Sequence, residues 1–503
     1  MSPIPELSWI SYLPVLTIAS LVYLTYSKRG SGLEHIPIIA PKSPFSLLSY
    51  YLGAFQFFKT AYPVFEEGYL RFRNGVLRTP SFYGWWVIVS GPELTEALRS
   101  LPEDTASLID LVNETLEVVH TMGQGIATNP YHVTIIKEKL TRSLPGLYHE
   151  IQEEVHKALL EHLPADDWTA VNGSQLVMKL VARATNRLFV GLPACREPEY
   201  LDTVMSYTQD VVMAGFILQM FPELLKTHVR RVLFPGLNRR VRKVAASIRP
   251  MVEECKAALA EFGKNYEGKR NDMLSWLIDE AQGSEQDLDS LARRVLILNF
   301  AGLHTTSMTF THALYDLITH PSAIEPLRNE IEAVTGKDGY TKISMTKLVK
   351  MDSLFKESMR VNSISCIAMN RRAMRTFNLP DGTVIPKGTI ICGNSLVHRD
   401  VEAFGPTADQ FEPFRFEKGE GTSTSYAVTT SNKFLQFGHG VHACPGRFFA
   451  VNDMKIILCE LIMDYDFKFA GGSLERPKDS RFGTTSVPNG EAQILFKKRA
   501  TLL

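Results

Sequence analysis

Apolar residues recur with helical spacing over most of this chain, and only short stretches alternate in the manner of a strand. Residues 144–263 carry apolar positions every three or four residues, which predicts a series of amphipathic helices. A single long helix is predicted over residues 291–320, which form one extended apolar pattern. Strand patterns are confined to Trp85–Val89 and to the turn-rich stretch NLPDGTVIPKGTIICGN. The chain is therefore predicted to be mainly α with a minor β portion.

The beginning of the chain has a different character. Leu7–Tyr26 contains no charged residue, and a helix of this length spans the bilayer core of roughly 30 Å. Lys28 and Arg29 follow at once, so the positive-inside rule places the body of the protein in the cytosol. A cleaved signal peptide is the alternative, but no basic region precedes the apolar run. The predicted organisation is a membrane anchor over 1–29, a Pro-rich linker over 30–50 and a main domain over 51–503.

A second apolar segment lies in the middle of the chain. Val211–Leu225 is apolar on nearly every face, which predicts either core burial or membrane contact. The stretch HVRRVLFPGLNRRVRK follows it and has no acidic residue. Such a basic segment is expected at membrane phosphates or on a solvated helix face.

Composition excludes some classes of protein. Lys plus Arg and Asp plus Glu both number 54, so the net charge is zero and nucleic acid is not the expected partner. Six cysteines are scattered without framework spacing, which favours a reducing, cytosol-facing setting. A hydrophobic content of 45% is sufficient for a sizeable core.

The stretch FLQFGHGVHACPGRFFA places one cysteine, Cys444, in a glycine-rich loop before a helical pattern. Pro445 suits the first turn of that helix, and the flanking glycines allow a tight backbone. A helix start offers free N–H groups and a positive dipole end, and both favour an anion. The loop therefore indicates a platform that holds one thiolate.

Other interpretations of the loop are weaker. A buried structural cysteine is the usual fate of a free Cys. A zinc site would use His439, His442 and Cys444, but no paired motif supplies a fourth ligand. The spacing also fits a G-x-G-x-x-A dinucleotide fingerprint, which Pro445 disfavours because it stands where the phosphate-binding helix should continue.

Phe437–Gly446, FGHGVHACPG, resembles the haem-binding signature of the cytochrome P-450 superfamily, and its fixed positions are all matched, by Phe437, Gly440, His442, Cys444 and Gly446. The resemblance implies that Cys444 is the thiolate ligand of the iron of haem b. It further implies that His442 lies near a haem propionate and that Phe437 packs beside the sulfur. In the segment NPYHVTIIKEKL, which lacks the usual Trp-x-x-x-Arg, His132 and Lys137 would meet the propionates.

Residues 301–306, AGLHTT, resemble the family's I-helix signature. There the small residues let the helix pass over the haem, and the threonine, Thr305 here, guides protons to oxygen. His304 replaces the usual acid, and a histidine can also relay protons near neutral pH. The alternative for His304 is a structural hydrogen bond across the helix groove. The His-Thr-Thr variant is similar to fungal members of the family.

The segments FKESMR and FEPFRF resemble two further signatures of the family. Glu357 and Arg360 stand three apart on a helix and so share a face. By resemblance they join Arg415 in a buried charge triad that locks the loop of Cys444. Residues 364–369 are expected to help line the substrate pocket.

The resemblance implies a haem-dependent monooxygenase of cytochrome P-450 fold, preceded by one N-terminal transmembrane helix, with residues 51–503 as the haem-thiolate catalytic domain. It would insert one atom of O2 into a small lipophilic substrate of terpenoid, steroid or polyketide type in secondary metabolism. An NADPH–cytochrome reductase would supply electrons, and the protein would sit in the endoplasmic reticulum membrane as a single-pass protein with a cytosolic catalytic domain. The alternatives are a haem-thiolate isomerase or dehydratase that uses no external O2, which the intact Thr305 disfavours, and a non-catalytic haem-binding protein.

Overall fold

The structure is a computed structural model that describes residues 32–41, 46–264, 266–417 and 426–500, with the side chains of 46–48, 337 and 338 excepted. The predicted anchor over 1–29 lies outside the described residues. Among the helices of the described ranges, none is long and apolar enough to cross a membrane.

Helices make up most of the described chain. In order they are α1 Ser46–Lys59, α2 Tyr62–Arg71, α3 Pro92–Ser100, α4 Leu108–Thr115, α5 Val118–Thr121, α6 Gln124–Thr128, α7 Tyr131–Ile135, α8 Thr141–Ser143, α9 Tyr148–His162, α10 Gly173–Phe189, α11 Pro198–Leu218, α12 Glu223–Leu233, α13 Pro235–Phe262, α14 Met273–Glu280, α15 Leu288–Thr319, α16 Ile324–Asp338, α17 Lys342–Lys347, α18 Val349–Val361, α19 Val401–Phe404 and α20 Arg447–Asp464. A π-helical turn, Ile136–Leu140, joins α7 to α8.

The strands are short and fewer. They are β1 Val76–Ser81, β2 Gly84–Val89, β3 Ala106–Ser107, β4 Thr169–Asn172, β5 Ile367–Ala373, β6 Phe377–Asn378, β7 Val384–Ile385, β8 Ile390–Asn394, β9 Tyr465–Phe469, β10 Ser480–Phe482, β11 Thr485–Val487 and β12 Gln493–Lys498. This content agrees with the predicted mainly helical class.

The described chain divides into two compact units. The first comprises the residues up to Leu111, Cys366–Val397 and Arg481–Thr485. It contains a five-stranded sheet of order β1-β2-β8-β5-β3, in which only β2 and β8 run parallel. Phe65, Leu77 and Ile88 are fully buried in its core, where strand residues of one face pack against α2.

The second unit is helical and comprises Val112–Ser365, His398–Ser480 and Ser486–Leu503. Its core surrounds α15, which packs against α10, α11, α13 and α18 and is buried on most of its faces. Short polar side chains cap the helices around it, because the first N–H groups of a helix have no partner within it. The side chain of Asn172 accepts from the N–H of Gln175 at the start of α10, and Asp272 accepts from that of Ser275 at α14.

The predicted linker over 30–50 differs from the structure. Leu33, Ile36 and Ile39 are buried, and Ile38 forms a β-bridge with Arg78. Helix α1 then begins at Ser46, inside the predicted linker. The described part of this proline-containing segment therefore belongs to the first unit, with Leu33, Ile36 and Ile39 buried in it.

Candidate active site

The second unit encloses an apolar cavity of about 320 Å³. One wall is formed by α15, through Leu298, Ala301, Gly302, Thr305, Thr306 and Thr309. The facing wall is formed by the cysteine loop and α20, through Phe437, Cys444, Pro445, Gly446, Phe449, Ala450 and Met454. Ile136, Leu140, Phe189, Ile364 and Gln436 complete the lining. No charged side chain lines this cavity among the described residues, so it is suited to an apolar guest.

The cysteine loop is a tight turn held by its own backbone. The N–H of Cys444 donates to the carbonyl of Phe437 over 2.7 Å, and that of Ala443 donates to Gly440 over 3.0 Å. Gly438 and Gly440 have φ values of +67° and +81°, which side chains disfavour. The two glycines therefore allow the turn that presents the sulfur of Cys444 to the cavity.

Opposing effects act on the Cys444 thiol. Burial raises its pKa, while the N–H groups of Gly446 and Arg447 and the Arg447 charge act to lower it. Burial prevails for the isolated thiol, but a coordinating metal ion deprotonates a thiol outright. The N–H groups at the start of α20 are then aligned to stabilise the thiolate.

Arg447 braces the same turn. Its Nη1 donates to the carbonyl of Cys444 over 2.8 Å, and its guanidinium lies 4.4 Å from the ring centroid of Phe448. Burial lowers the pKa of Arg447, and the charge of a Cys444 thiolate opposes that shift. The charge of Arg447 therefore compensates part of the negative charge of a Cys444 thiolate.

On the opposite wall, Thr305 is exposed to the cavity. Its hydroxyl donates to the carbonyl of Ala301 over 2.9 Å. Among the described residues, the atom nearest to a Cβ added at Gly302 would be Cζ of Phe189, at 4.0 Å, so the glycine leaves open space beside the cavity. Thr305 is therefore placed where a guest facing Cys444 would meet its hydroxyl.

His304 lies away from the cavity lining. Its Nε2 is 2.8 Å from the carbonyl of Met205 on α11. A structural hydrogen bond is the alternative that the sequence left to a proton relay, and the observed bond runs to a neighbouring helix. Among the described residues the His304 ring forms no further hydrogen bond, and its relay role stays a prediction.

His132 and Lys137, the two expected propionate partners, do not line the cavity either. His132 is buried against Arg294, whose Nη1 lies 2.9 Å from its Nδ1. Burial, followed by the Arg294 charge, lowers the pKa of His132 to about 3, so its ring is neutral.

Lys137 is exposed on the π-helical turn, while its neighbour Ile136 lines the cavity. The π-helical turn thus directs apolar side chains inward, which the sequence pattern did not indicate. His442 lies in a short 3-10 turn of the cysteine loop, half-buried and outside the lining.

The three residues of the predicted charge triad meet. Glu357 and Arg360 have fully buried side chains, and Nε of Arg360 lies 2.7 Å from Oε2 of Glu357. Nε of Arg415 lies 2.9 Å from Oε1 of the same carboxylate. Arg360 also donates to the carbonyls of His398 (2.8 Å), Ala408 and Gln410 (2.9 Å). The triad therefore holds the backbone of a segment far along the chain.

His398, which no sequence motif marks, connects this triad to the cysteine loop. Its carbonyl accepts from Arg360, and its Nε2 accepts from the N–H of Leu435 over 2.7 Å. Burial, with the charges of Arg360 and Arg399, lowers the pKa of His398 to about 3. A neutral ring with an acceptor at Nε2 is what the Leu435 bond requires. A lone histidine in a 3-10 turn gives no sequence signal for this contact.

Comparisons with known proteins agree with this geometry. The cytochrome P-450 family profile matches residues 86–496. Cytochrome P-450 monooxygenase 151 of Postia placenta is 40% identical, over 96% of this chain and 97% of its own length. Ent-kaurene oxidase of Fusarium fujikuroi is 30% identical, over 99% of this chain and 94% of its own length. The solved structure of retinoic acid bound cyanobacterial CYP120A1 matches with a TM-score of 0.65 at 18% identity, over 86% of this chain and 94% of that one, and shares the fold.

The fold and the thiolate site define a haem-thiolate monooxygenase. The chain belongs to the cytochrome P-450 family, with fungal monooxygenases among its relatives. Its cofactor is haem b, and the cavity fits that group. The lining is apolar, one sulfur faces α15, and a Cβ at Gly446 would meet nothing within 4 Å.

Proposed function

We propose that this monooxygenase hydroxylates a small lipophilic substrate of terpenoid, steroid or polyketide type in secondary metabolism. The observation that carries this proposal is the uncharged α15 wall of the cavity, opposite Cys444, because an apolar substrate held between that wall and the haem would lose little on leaving water. A relative named ent-kaurene oxidase acts on a terpenoid, which favours that class among the three.

The residues of the cavity have separate roles in this proposal. Cys444 holds the iron of haem b, which supplies the activation of O2 when bound. Thr305 holds a hydroxyl proton at the opposite wall and passes it to oxygen, after turning from the carbonyl of Ala301. The balance is substrate, O2, two electrons and two protons, giving hydroxylated product and water. Leu298 and Phe189 exclude water from the same space.

Electrons reach the site from a separate NADPH–cytochrome reductase in this proposal. The sequence contains no credible nucleotide-binding fingerprint, so the chain needs an external donor of electrons. Arg447 is half-buried, and its Nη1 donates to the carbonyl of Cys444 over 2.8 Å. It is the cation next to the cysteine loop that would help to dock this donor.

The membrane is the second proposed partner, with the endoplasmic reticulum as the location and a cytosolic catalytic domain. The apolar run Leu7–Tyr26 supports a single anchoring span. Helix α12 supports a further contact, since Leu224 and Val232 on it are 89% and 76% exposed. Arg231 on the same helix is also exposed and suits a phosphate surface. A lipophilic substrate would then reach the protein from the bilayer.

The test is turnover by the full chain in phospholipid vesicles with a purified reductase and NADPH. Panels of terpenoids, steroids and polyketides are supplied under isotopically labelled O2. We expect a product that carries one labelled oxygen atom, and Thr305→Ala to consume NADPH with less product. Thr311→Ala is the matched control, because Thr311 lies on the same helix and donates only to the Ser307 carbonyl within it. Product formed without O2 would instead identify an isomerase or dehydratase, and haem without any turnover would exclude catalysis on these classes.

A further inference from the structure

A second cavity in the same unit is polar and contains two arginines. It measures about 280 Å³ and is lined by Val119, His120, Gly123, Gln124, Gly125, Ile126, Arg230, Glu285, Ser290 and Arg293. Arg230 belongs to α12, and Arg293 and Ser290 belong to α15. We call this space the arginine cavity. It shares no lining residue with the cavity of Cys444.

Both arginines bind backbone or amide oxygens and not carboxylates. Nη1 of Arg293 donates to the carbonyl of Met122 over 3.1 Å. Nε of Arg230 donates to the carbonyl of His120 over 2.9 Å, and its Nη2 donates to Oδ1 of Asn238 over 3.0 Å. Within the described ranges, no carboxylate forms an ion pair with either guanidinium. Each guanidinium carries five N–H donors, so donors remain for a ligand.

Glu285, the acidic residue of the lining, does not neutralise Arg230 and Arg293. Glu285 is bound to Arg294, whose Nη2 lies 2.9 Å from Oε2 of Glu285. The side chain of Arg294 is fully buried, which keeps that pair closed. His120 is likewise bound to Glu223 over 2.8 Å. The two cavity arginines therefore leave an excess of positive charge in a concave site.

The loop between α5 and α6 and the first turn of α6 lie close to the side chains of Arg293 and Glu285. Gly123 has a φ of +116°, and a Cβ there would lie 3.3 Å from Cδ of Arg293. A Cβ at Gly125 would lie 2.2 Å from Oε1 of Glu285, so that position admits no side chain while Glu285 stays in place. Burial, together with the charges of Arg293 and Arg231, lowers the pKa of Arg230. An oxyanion bound between the guanidiniums of Arg230 and Arg293 would relieve the repulsion between their positive charges.

We propose that the arginine cavity binds the oxyanion of a small molecule, either a carboxylate or a phosphate monoester, through Arg230 and Arg293. Two guanidiniums without counter-ions match both groups, since each accepts forked N–H donors. Arg293 and Ala301, which lines the first cavity, stand eight residues apart on α15. This spacing is about 12 Å along a helix. An elongated molecule could therefore hold its anionic end at Arg293 with its apolar part directed along α15.

The experiment is a titration of the haem-loaded full chain with four probes: acetate, inorganic phosphate, dodecanoate and dodecyl phosphate. Calorimetry measures binding, and the Soret band reports any effect at the haem. We expect saturable binding that weakens with added salt, and a loss of roughly tenfold or more in affinity on Arg293→Gln or Arg230→Gln. Arg293→Lys, which keeps the charge but not the fork, should recover part of the loss.

The matched control is Arg239→Gln, which removes the same charge from an exposed site on α13. A Soret shift with the dodecyl probes alone would identify the anionic end of a substrate, and binding of acetate or phosphate without a shift would identify a separate effector. Equal affinities in the wild type, Arg293→Gln and Arg230→Gln would overturn the proposal, provided that the carbon monoxide spectra show all variants folded. This inference does not depend on the proposed substrate class, because turnover of neutral terpenoids is measured separately.

Discussion

Replacement of the Glu357 carboxylate is the most informative perturbation of this protein. Glu357 accepts from Nε and Nη2 of Arg360, both over 2.7 Å. It also accepts from Nε of Arg415 over 2.9 Å and from the N–H of Glu412 over 3.0 Å. Glu357→Ala would leave the fully buried guanidinium of Arg360 without its counter-ion.

The expected loss follows from burial. Breaking a buried ion pair by removal of one partner costs about 3–5 kcal/mol, mainly because the remaining charge stays out of water. We expect about 4 kcal/mol for Glu357→Ala, since Arg360 keeps its backbone carbonyl acceptors. The chain offers a matched control in Glu96→Ala, because Glu96 and Arg99 have the same three-residue spacing on α3. Glu96 is half-exposed, and an exposed pair of this kind is worth at most about 1 kcal/mol.

The assay combines urea unfolding with the carbon monoxide difference spectrum of the reduced protein. Since the triad reaches the cysteine loop through His398 and Leu435, the destabilised variant should also lose its thiolate spectrum at lower urea than the wild type. Equal unfolding free energies for Glu357→Ala and Glu96→Ala would refute the reasoning. A variant that is destabilised but keeps its thiolate spectrum to the same urea concentration would refute the link to the loop alone.

Two further predictions concern buried groups of the second unit. Burial raises the pKa of Asp453 from 3.8 to about 8, opposed only by the hydroxyl of Thr185. Between these pH values the folded state keeps a proton that the unfolded state has lost, so stability falls as pH rises, by up to about 1.4 kcal/mol per unit. Asp453→Asn should abolish this slope of stability against pH. The test is to measure denaturant midpoints of the wild type and the variant from pH 5 to 8. Midpoints that change with pH in parallel for both proteins would contradict a protonated Asp453. His304→Ala, which removes the bond to Met205, should cost about 1 kcal/mol in unfolding free energy and leave the ratio of product to NADPH unchanged. A large fall in that ratio without loss of stability would restore the proton-relay role.

The sequence by itself determined the elements whose signals are local. The cysteine loop was predictable because glycines, a proline and a helix start act within a few residues of Cys444. The long helix α15 follows the predicted range to within three residues at its start, since its apolar pattern is continuous. Strand β2 was likewise indicated by a short apolar run before a Gly-Pro turn.

The tertiary structure decided which of several equivalent patterns is buried. The Glu-x-x-Arg spacing occurs at 96–99, 267–270, 325–328 and 412–415 as well as at 357–360. Only at 357–360, among these pairs, are both side chains fully buried, because residues 398–415 fold over α18 and supply carbonyl acceptors. The tertiary structure also decided the hydrogen-bond partners of two histidines. The ring of His304 meets the carbonyl of Met205, and the ring of His132 meets the guanidinium of Arg294. A side chain's partner depends on which distant segment packs against its helix, and the spacing of residues along one helix carries no record of that segment.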